Sequence, residues 1–309
     1  MGVKMFYNII TILGPTATGK TKLAAELAYE LSGEIISADS RQVYKGMDIG
    51  TGKDLSEYII NGFNVPYHLI DIISPKDEFN LFLFKTNFYK AFRNILEKGK
   101  VPFLVGGTGL YLSSILQNYQ LKKSEFNQAE AEELREKDIH DLQKILKELN
   151  PILHNSTDLL DKDRIIKAIQ ITRSFEKDNP GWRNIHSLNI GISPPREIIK
   201  KRITERLKFR LANGMIEEVK KLIDDGISFE RLDLFGLEYR FIGLYINGRI
   251  NYNDMFQKLN SAIHNFAKRQ STWFRKMERE GVKINWIDSP DFNKAKEIIL
   301  RSTFKDLAE

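Results

Sequence analysis

The amino-acid sequence predicts an α/β protein in which helices cover a parallel sheet and a small, all-helical domain is inserted. Three observations carry this prediction. Over the first 120 residues, apolar runs typical of buried strands alternate with helical segments. A charged, helical block with few strand signals follows, and strand character returns near residue 188. A loop between the first strand and the first helix carries glycines, lysine and threonine in a pattern typical of one class of α/β sheet.

The first part of the chain supplies most of the predicted sheet. Buried strands are expected at 8–13, 34–39 and 101–107, with a further apolar run at 68–73, and helices at 21–33, 80–98 and 110–117. In the first helix, Leu23, Leu27 and Leu31 recur every four residues, and Gly33 stands where a C-cap is expected. This alternation favours parallel strands with crossover helices.

Residues 121–185 are predicted to form the helical insertion domain, and 1–120 with 186–309 to form the core. Within the insertion, 161–177 has the pattern of a helix, which the sequence DNPG ends. The sequence then predicts a strand at 188–193, helical segments at 195–225, 230–247 and 253–280, and a last strand at 282–288.

The composition limits the classes of function. The 309-residue chain has a formal net charge of +6, which favours an anionic partner without proving one. It has no Cys, so disulfides and Cys-based zinc sites are excluded, and its five His residues are not spaced as a metal cluster. No apolar run approaches the ~18 residues of a membrane span, and a strand-like run begins too early for a signal peptide. We expect a soluble, cytoplasmic monomer without membrane association.

The segment GPTATGKT matches the phosphate-loop pattern G-x-x-x-x-G-K-[ST], with an apolar strand before it and a helix after it. In such a loop, backbone N–H groups converge on phosphate oxygens, and the helix N-terminus adds partial positive charge. Lys20 supplies a full charge, and the Thr21 hydroxyl is placed to ligate Mg²⁺. The predicted diphosphate or nucleotide site comprises Gly14, Pro15, Thr16, Ala17, Thr18, Gly19, Lys20 and Thr21. The loop itself does not say which polyphosphate is bound.

The carboxylate that P-loop ATPases and GTPases carry at the end of a second apolar strand is missing from its usual place. The run VPFLVGG ends in glycines and Thr108, and Asp71 lies inside the run HLIDII rather than at its end. Asp39, after the strand that follows the phosphate-loop helix, is the acid that a parallel sheet would bring to the same edge as the loop. A carboxylate there suggests a base that acts on a bound acceptor.

Five segments in this order resemble the tRNA dimethylallyltransferases, the IPP transferase family: GPTATGKT, ISADSRQVYKGMDIGTGK, HLIDIISP, VPFLVGGTGLYL and AKRQSTWFR. DSRQVYKGMDIGT is the most diagnostic. The resemblance covers nearly the whole chain and implies a P-loop NTPase-like sheet with a helical insertion. It also implies transfer of a dimethylallyl group from dimethylallyl diphosphate to N6 of the adenosine just 3′ of the tRNA anticodon, with Mg²⁺.

The resemblance assigns roles to particular residues. Lys20 stabilises the leaving diphosphate, Asp39 is the base for the amine, and Thr108 lies near both. Arg206 completes the diphosphate site, although Arg202 and Arg210, four residues to either side, could take that role. The implied contacts with the tRNA anticodon stem-loop are Asp39, Ser40, Arg41, Gln42 and Thr108, and, in the insertion, Asp163, Arg164, Ile165, Ile166 and Lys167.

The C-terminal helices have an RNA-binding character of their own. Between residues 196 and 279 the sequence has 18 Lys and Arg against 11 Asp and Glu, a local excess of seven, so the rest of the chain is about neutral. Lys268 and Arg269 are the predicted tRNA contacts there. An apolar stripe beside this basic face is predicted to be buried, with Phe266 and Trp273 in the core rather than stacked on bases; its members are Leu259, Ile263, Phe266, Trp273 and Met277.

The chain also departs from the family pattern. Glu238 replaces a glycine that usually precedes Tyr239-Arg240, which puts RNA contacts there in doubt. Glu130 stands in place of an arginine, and Gly52 in place of an alanine, a change expected to be harmless. The differences suggest a divergent bacterial-type branch.

Three other functions compete with tRNA prenylation. A P-loop kinase of a nucleotide or small molecule would not explain DSRQVYKGMDIGT or the basic C-terminal region. A non-catalytic RNA-binding protein with a vestigial loop would not need an intact Gly19-Lys20-Thr21 together with Asp39. A prenyltransferase of free adenylates would have little use for the helical insertion.

Overall fold

The protein is described by a computed structural model that covers residues 7–119, 128–149, 162–173 and 185–302. Its strands are β1 (Ile9–Leu13), β2 (Gly33–Ala38), β3 (Ile59–Ile60), β4 (Phe63–Asn64), β5 (Tyr67–His68), β6 (Val101–Gly106), β7 (Ser187–Ile192) and β8 (Asn285–Ile287). Its helices are α1 (Lys20–Glu30), α2 (Leu81–Glu97), α3 (Gly109–Leu116), α4 (Gln128–Arg135), α5 (Ile139–Leu149), α6 (Lys162–Arg173), α7 (Arg196–Ala212), α8 (Met215–Asp224), α9 (Phe229–Phe235), α10 (Leu237–Ile246), α11 (Tyr252–Arg279) and α12 (Phe292–Leu300).

Six strands form one sheet in the order β5-β2-β6-β1-β7-β8, and every neighbouring pair is parallel. In β1, Ile10 lies opposite Phe103 of β6 on one side and Leu188 of β7 on the other. Because all five residues of β1 are buried, the strand reads as a continuous apolar run, as expected for the middle of a covered parallel sheet. The α/β prediction is confirmed, and the carboxyl ends of these strands open at one edge of the sheet.

The chain divides into two compact units, of which one comprises 1–119 with 184–309 and the other 120–183. The predicted insertion was 121–185. In the smaller unit, α4, α5 and α6 pack around a core made of Ala131, Leu134, Leu142, Leu146, Ile165, Ile166 and Ile169. None of the helices in the described residues combines the length and the hydrophobicity needed to span a bilayer.

The apolar run 68–73 forms much less strand than the sequence suggested. Only β5, at its start, joins the sheet, because Leu69 and Asp71 adopt left-handed backbone conformations with φ of 65° and 54°. Asp71 there accepts a bond of 2.5 Å from the buried amine of Lys53, which also pairs with Asp48 at 2.8 Å. Asp71 is therefore part of an ion-pair cluster with Lys53 and Asp48.

Two predicted C-terminal helices are each broken in two. The segment 195–225 becomes α7 and α8, and 230–247 becomes α9 and α10, with Gly214 and Gly236 at the breaks at φ of 97° and 121°. The breaks let these helices surround a second apolar cluster, which includes Val43, Tyr44 and Met47 from the segment after β2. The hairpin β3–β4 and helix α12 were not predicted.

Candidate active site

The phosphate loop joins β1 to α1 at the carboxyl edge of the sheet. Gly19 ends the loop with φ of 81°, and Lys20 begins α1. The buried Thr18 hydroxyl donates to the Pro15 carbonyl at 3.0 Å, so this side chain stabilises the conformation of the loop. Thr21 follows Lys20 in the first turn of the helix.

Lys20 lies within the loop, with its amine donating to the Pro15 carbonyl at 3.2 Å. Burial lowers the pKa of Lys20 to about 8, and the charge of Arg206 acts in the same direction. The carboxylates of Asp39 and Glu57 oppose the shift. A desolvated ammonium beside a second cation is well suited to an anionic ligand, which would raise the lowered pKa again.

Asp39 and Thr108 are brought together at the ends of β2 and β6. The Asp39 carboxylate accepts from the Arg41 backbone N–H at 2.9 Å. The Thr108 hydroxyl accepts from the Ser40 backbone N–H at 3.2 Å, and the Thr108 N–H donates to the Ala38 carbonyl at 3.3 Å. The structure thus places the predicted base and the predicted threonine at the edge that carries the phosphate loop.

The structure distinguishes the three candidate arginines of α7. Arg206 donates to the Thr16 hydroxyl of the phosphate loop. Arg202 is exposed, and Arg210 is buried with its guanidinium 3.6 Å from the Asp54 carboxylate. Burial lowers the pKa of Arg206 to about 10, with Arg210 acting in the same direction. Arg206 is therefore the one of the three that contacts the phosphate loop, and its role towards a diphosphate stays a prediction.

The departures at Glu238 and Gly52 meet at Arg210. Glu238 lines a small cavity together with Arg206 and Arg210, and burial raises its pKa against the opposing charges of both arginines. A Cβ on Gly52 would lie 2.1 Å from a guanidinium nitrogen of Arg210. An alanine at position 52 would therefore require the Arg210 guanidinium to shift, and the expectation that glycine is harmless here stays a prediction.

Two of the predicted tRNA contacts after β2 are engaged within the protein. Arg41 donates to the Leu234 carbonyl. The Gln42 amide donates to the Gly52 carbonyl and accepts from the Ser37 hydroxyl, both at 3.1 Å. These side chains fix the segment that carries Asp39, and a role in RNA contact stays a prediction.

In the insertion, the predicted contacts on α6 divide by burial. Asp163 is exposed and pairs with Arg135 at 3.3 Å. Ile165 and Ile166 are 0% and 2% exposed, so their side chains belong to the core of the unit, and contact of this segment with tRNA stays a prediction. Arg164 and Lys167 belong to the same helix, and their side chains lie outside the described residues.

Helix α11 presents Lys268 and Arg269 to solvent. Phe266 is 38% exposed with the Arg269 guanidinium 5.9 Å from its ring centre, so its placement in the core is wrong. The buried face of α11 contains Ala267 and Phe274 instead. Trp273 is half-buried, and its indole N–H donates to the Ser113 hydroxyl at 2.8 Å.

Sequence reasoning missed Glu218 of α8. Its carboxylate accepts from the backbone N–H groups of Asp48, Ile49 and Gly50 at 2.7–3.0 Å, and from the Tyr239 hydroxyl at 2.7 Å. No local pattern could have found it, since its partners in the loop lie about 170 residues earlier in the chain.

Glu218→Ala is expected to lower the free energy of unfolding by roughly 1.5–3 kcal/mol, because the loop loses its charged acceptor. Chemical denaturation monitors the change, with the exposed neighbour Glu217→Ala as the matched control. Equal unfolding midpoints for the two variants would show that the loop does not depend on this carboxylate.

Comparison with known proteins agrees with the P-loop α/β class that the fold and loop define. The chain belongs to the IPP transferase family, whose model matches residues 42–277. It is 50% identical over 297 residues to the tRNA dimethylallyltransferase 1 of Syntrophus aciditrophicus, covering 95% of this chain and 97% of the relative. The structure of a tRNA isopentenylpyrophosphate transferase from Bacillus halodurans superposes with a TM-score of 0.67 at 31% identity, covering 95% and 94% of the two chains. A eukaryotic dimethylallyltransferase structure shares the fold, with a TM-score of 0.76 at 20% identity over 97% and 81%.

Proposed function

We propose that this protein transfers a dimethylallyl group from dimethylallyl diphosphate to N6 of the adenosine on the 3′ side of the anticodon in tRNA, and releases diphosphate. The observation that carries this function is the meeting of Lys20 and Arg206 at the phosphate loop, on the sheet edge where Asp39 lies, in a chain of the IPP transferase family. The protein is a prenyltransferase.

In the proposed reaction, one side of the site holds the leaving diphosphate and the other side holds the acceptor amine. The bond between the allylic carbon and the diphosphate oxygen breaks, and the departing charge is stabilised by loop N–H groups, Lys20 and Arg206. The N6 nitrogen forms the new bond to that carbon and gives up a proton, which Asp39 accepts. The reacting base must leave its stack to reach the site.

The Thr21 hydroxyl is the group that would hold Mg²⁺, beside Lys20 in the first turn of α1. A hydroxyl oxygen together with diphosphate oxygens and water is the hard donor set that this ion prefers. Bound there, Mg²⁺ would neutralise charge on the diphosphate. Among the described residues, no three His, Cys, Asp or Glu side chains come together as an all-protein metal site.

The tRNA anticodon stem-loop is the proposed macromolecular partner, and a cytoplasmic monomer is the proposed state. The exposed cations of α11 face away from the buried side of that helix and would follow the phosphate backbone. Thr108 and the segment after β2 would meet the reacting nucleotide.

Diphosphate release tests this function. With dimethylallyl diphosphate, Mg²⁺ and unmodified tRNA, release is expected, and omission of tRNA is expected to abolish it. Replacing the prenyl donor by ATP distinguishes prenyl transfer from the main alternative function, that of a P-loop kinase. ATP-dependent phosphorylation of an acceptor without prenyl transfer would make the protein a P-loop kinase.

Replacing Lys268 and Arg269 by alanine is expected to weaken tRNA binding and to reduce the salt dependence of log K by about one for each phosphate group that the protein no longer binds. Titrations at several salt concentrations measure this slope. The exposed pair Lys90 and Arg93 of α2 supplies a control with the same change of charge. If the slope is as steep as in the unmodified protein, α11 does not bind the RNA backbone.

A further inference from the structure

A single side chain of α11 bridges two loops of the site. The Gln270 carbonyl oxygen, Oε1, accepts from the Thr16 backbone N–H of the phosphate loop at 2.8 Å. The amide nitrogen, Nε2, donates to the Gly107 carbonyl at 2.8 Å. Gly107 directly precedes Thr108, so the two ends of one amide hold the loop for the diphosphate and the loop beside the acceptor.

The two loops lie close together at this point. A Cβ on Gly107 would lie 3.1 Å from the Gly14 carbonyl and 2.5 Å from Nε2 of Gln270. The junction therefore has room for glycine and for the glutamine amide, and for little else. Thr16 also receives the Arg206 guanidinium, so the bridge reaches the arginine through the same loop residue.

Gln270 stands where the helix otherwise buries apolar side chains. It is 7% exposed, and the inward positions on either side of it are Ala267, Phe274 and Met277. A buried amide stabilises a fold only when its polar atoms are paired, and here both the oxygen and the nitrogen are. The polar residue in an apolar stripe is the sequence signal that could have identified this position.

We propose that Gln270 is a positioning residue that fixes the spacing between the diphosphate-binding loop and Thr108, and hence between donor and acceptor. This inference rests on the proposed function. Since reaction rates depend steeply on the approach of the reacting atoms, a shift of about 1 Å between the two loops is enough to cost on the order of 10²-fold. Lys268 and Arg269 lie directly before Gln270, on the exposed side of the same helical turn. A tRNA bound to these two residues would therefore contact the helix that sets this spacing.

Gln270→Met tests the bridge, because methionine keeps the length and packing of the side chain and removes both hydrogen bonds. The expected result is a 10- to 100-fold lower kcat for prenyl transfer, with a tRNA dissociation constant within about twofold of the unmodified protein. Gln270→Glu is the second variant, since it keeps an acceptor for Thr16 and loses the donor to Gly107. The exposed Gln257 of α11 supplies matched controls, Gln257→Met and Gln257→Glu.

The affinity for inorganic diphosphate with Mg²⁺, measured at temperatures well below the unfolding midpoint, tests the Gln270 bridge independently of the prenyl-transfer reaction. An unmodified protein that binds diphosphate without transferring a prenyl group would refute the proposed function. The bridge would then be supported by weaker diphosphate binding in Gln270→Met. Variants with kcat and diphosphate affinity within twofold of the controls would overturn the inference, as would a lower unfolding midpoint as their only change.

Discussion

Asp39→Asn is expected to lower the single-turnover rate of prenyl transfer by about 10²–10⁴-fold, because N6 of adenosine is a weak nucleophile that must lose a proton as the bond forms. Asparagine keeps the size of the side chain and an acceptor for the Arg41 N–H. The affinity for diphosphate should remain close to that of the unmodified protein. Reactions with saturating donor and tRNA, quenched at a series of times, measure the single-turnover rate of prenyl transfer.

The Asp39 experiment is best done near pH 7. The Asp39 carboxylate supports the charge of Lys20, and its removal lowers the pKa of Lys20 further below about 8. The exposed Asp225→Asn is a control with the same change of charge. If Asp39→Asn instead abolishes diphosphate binding while transfer by the bound fraction is unchanged, Asp39 is a structural or metal-binding residue.

Lys20→Ala is expected to lower kcat/KM for the prenyl donor by about 10²–10³-fold, since one preorganised donor to the leaving group is lost. The unmodified protein should also lose diphosphate affinity as the pH rises through about 8. The sign follows from the lowered pKa: below it the amine is charged and attracts the anion, and above it the amine is neutral.

Titrations of diphosphate between pH 6.5 and 9.5 measure this dependence. Lys20→Arg serves as the comparison, because a guanidinium keeps its charge over the whole interval and its profile should be flatter. A loss of affinity above pH 8 that is as large in Lys20→Arg as in the unmodified protein would exclude Lys20 as its cause.

The parts of the site that sequence reasoning predicted are those with a local pattern. The phosphate loop is one continuous segment between a strand and a helix, and the strand order of a parallel sheet then places Asp39 and Thr108 at the same edge. For the arginine of the diphosphate site, the sequence left three candidates. Spacing along a helix predicts only which face a residue lies on, and Thr16, the partner of Arg206, is 190 residues away.

The parts that were missed depend on contacts between distant segments. Glu218 and Gln270 bind backbone groups of loops far away in the chain. The apolar stripe could have marked Gln270 as unusual, but backbone groups carry no sequence signal that identifies them as the partners of either side chain. Phe266 was misplaced because the buried face of α11 includes Ala267 and Phe274, each one residue beyond the predicted Phe266 and Trp273. Ile165 and Ile166 matched a tRNA-binding segment, but the small helical unit needs them for its own core.

In the proposed reaction, the phosphate loop holds a leaving diphosphate while the sheet edge presents an acceptor adenosine. The most direct test is to incubate the protein with dimethylallyl diphosphate, Mg²⁺ and an unmodified tRNA with adenosine beside the anticodon, and then to determine the nucleoside masses. We expect the mass of one dimethylallyl group on that adenosine, none when guanosine replaces it, and none on free AMP. An unchanged tRNA, or a prenyl group on AMP alone, would refute the proposed reaction.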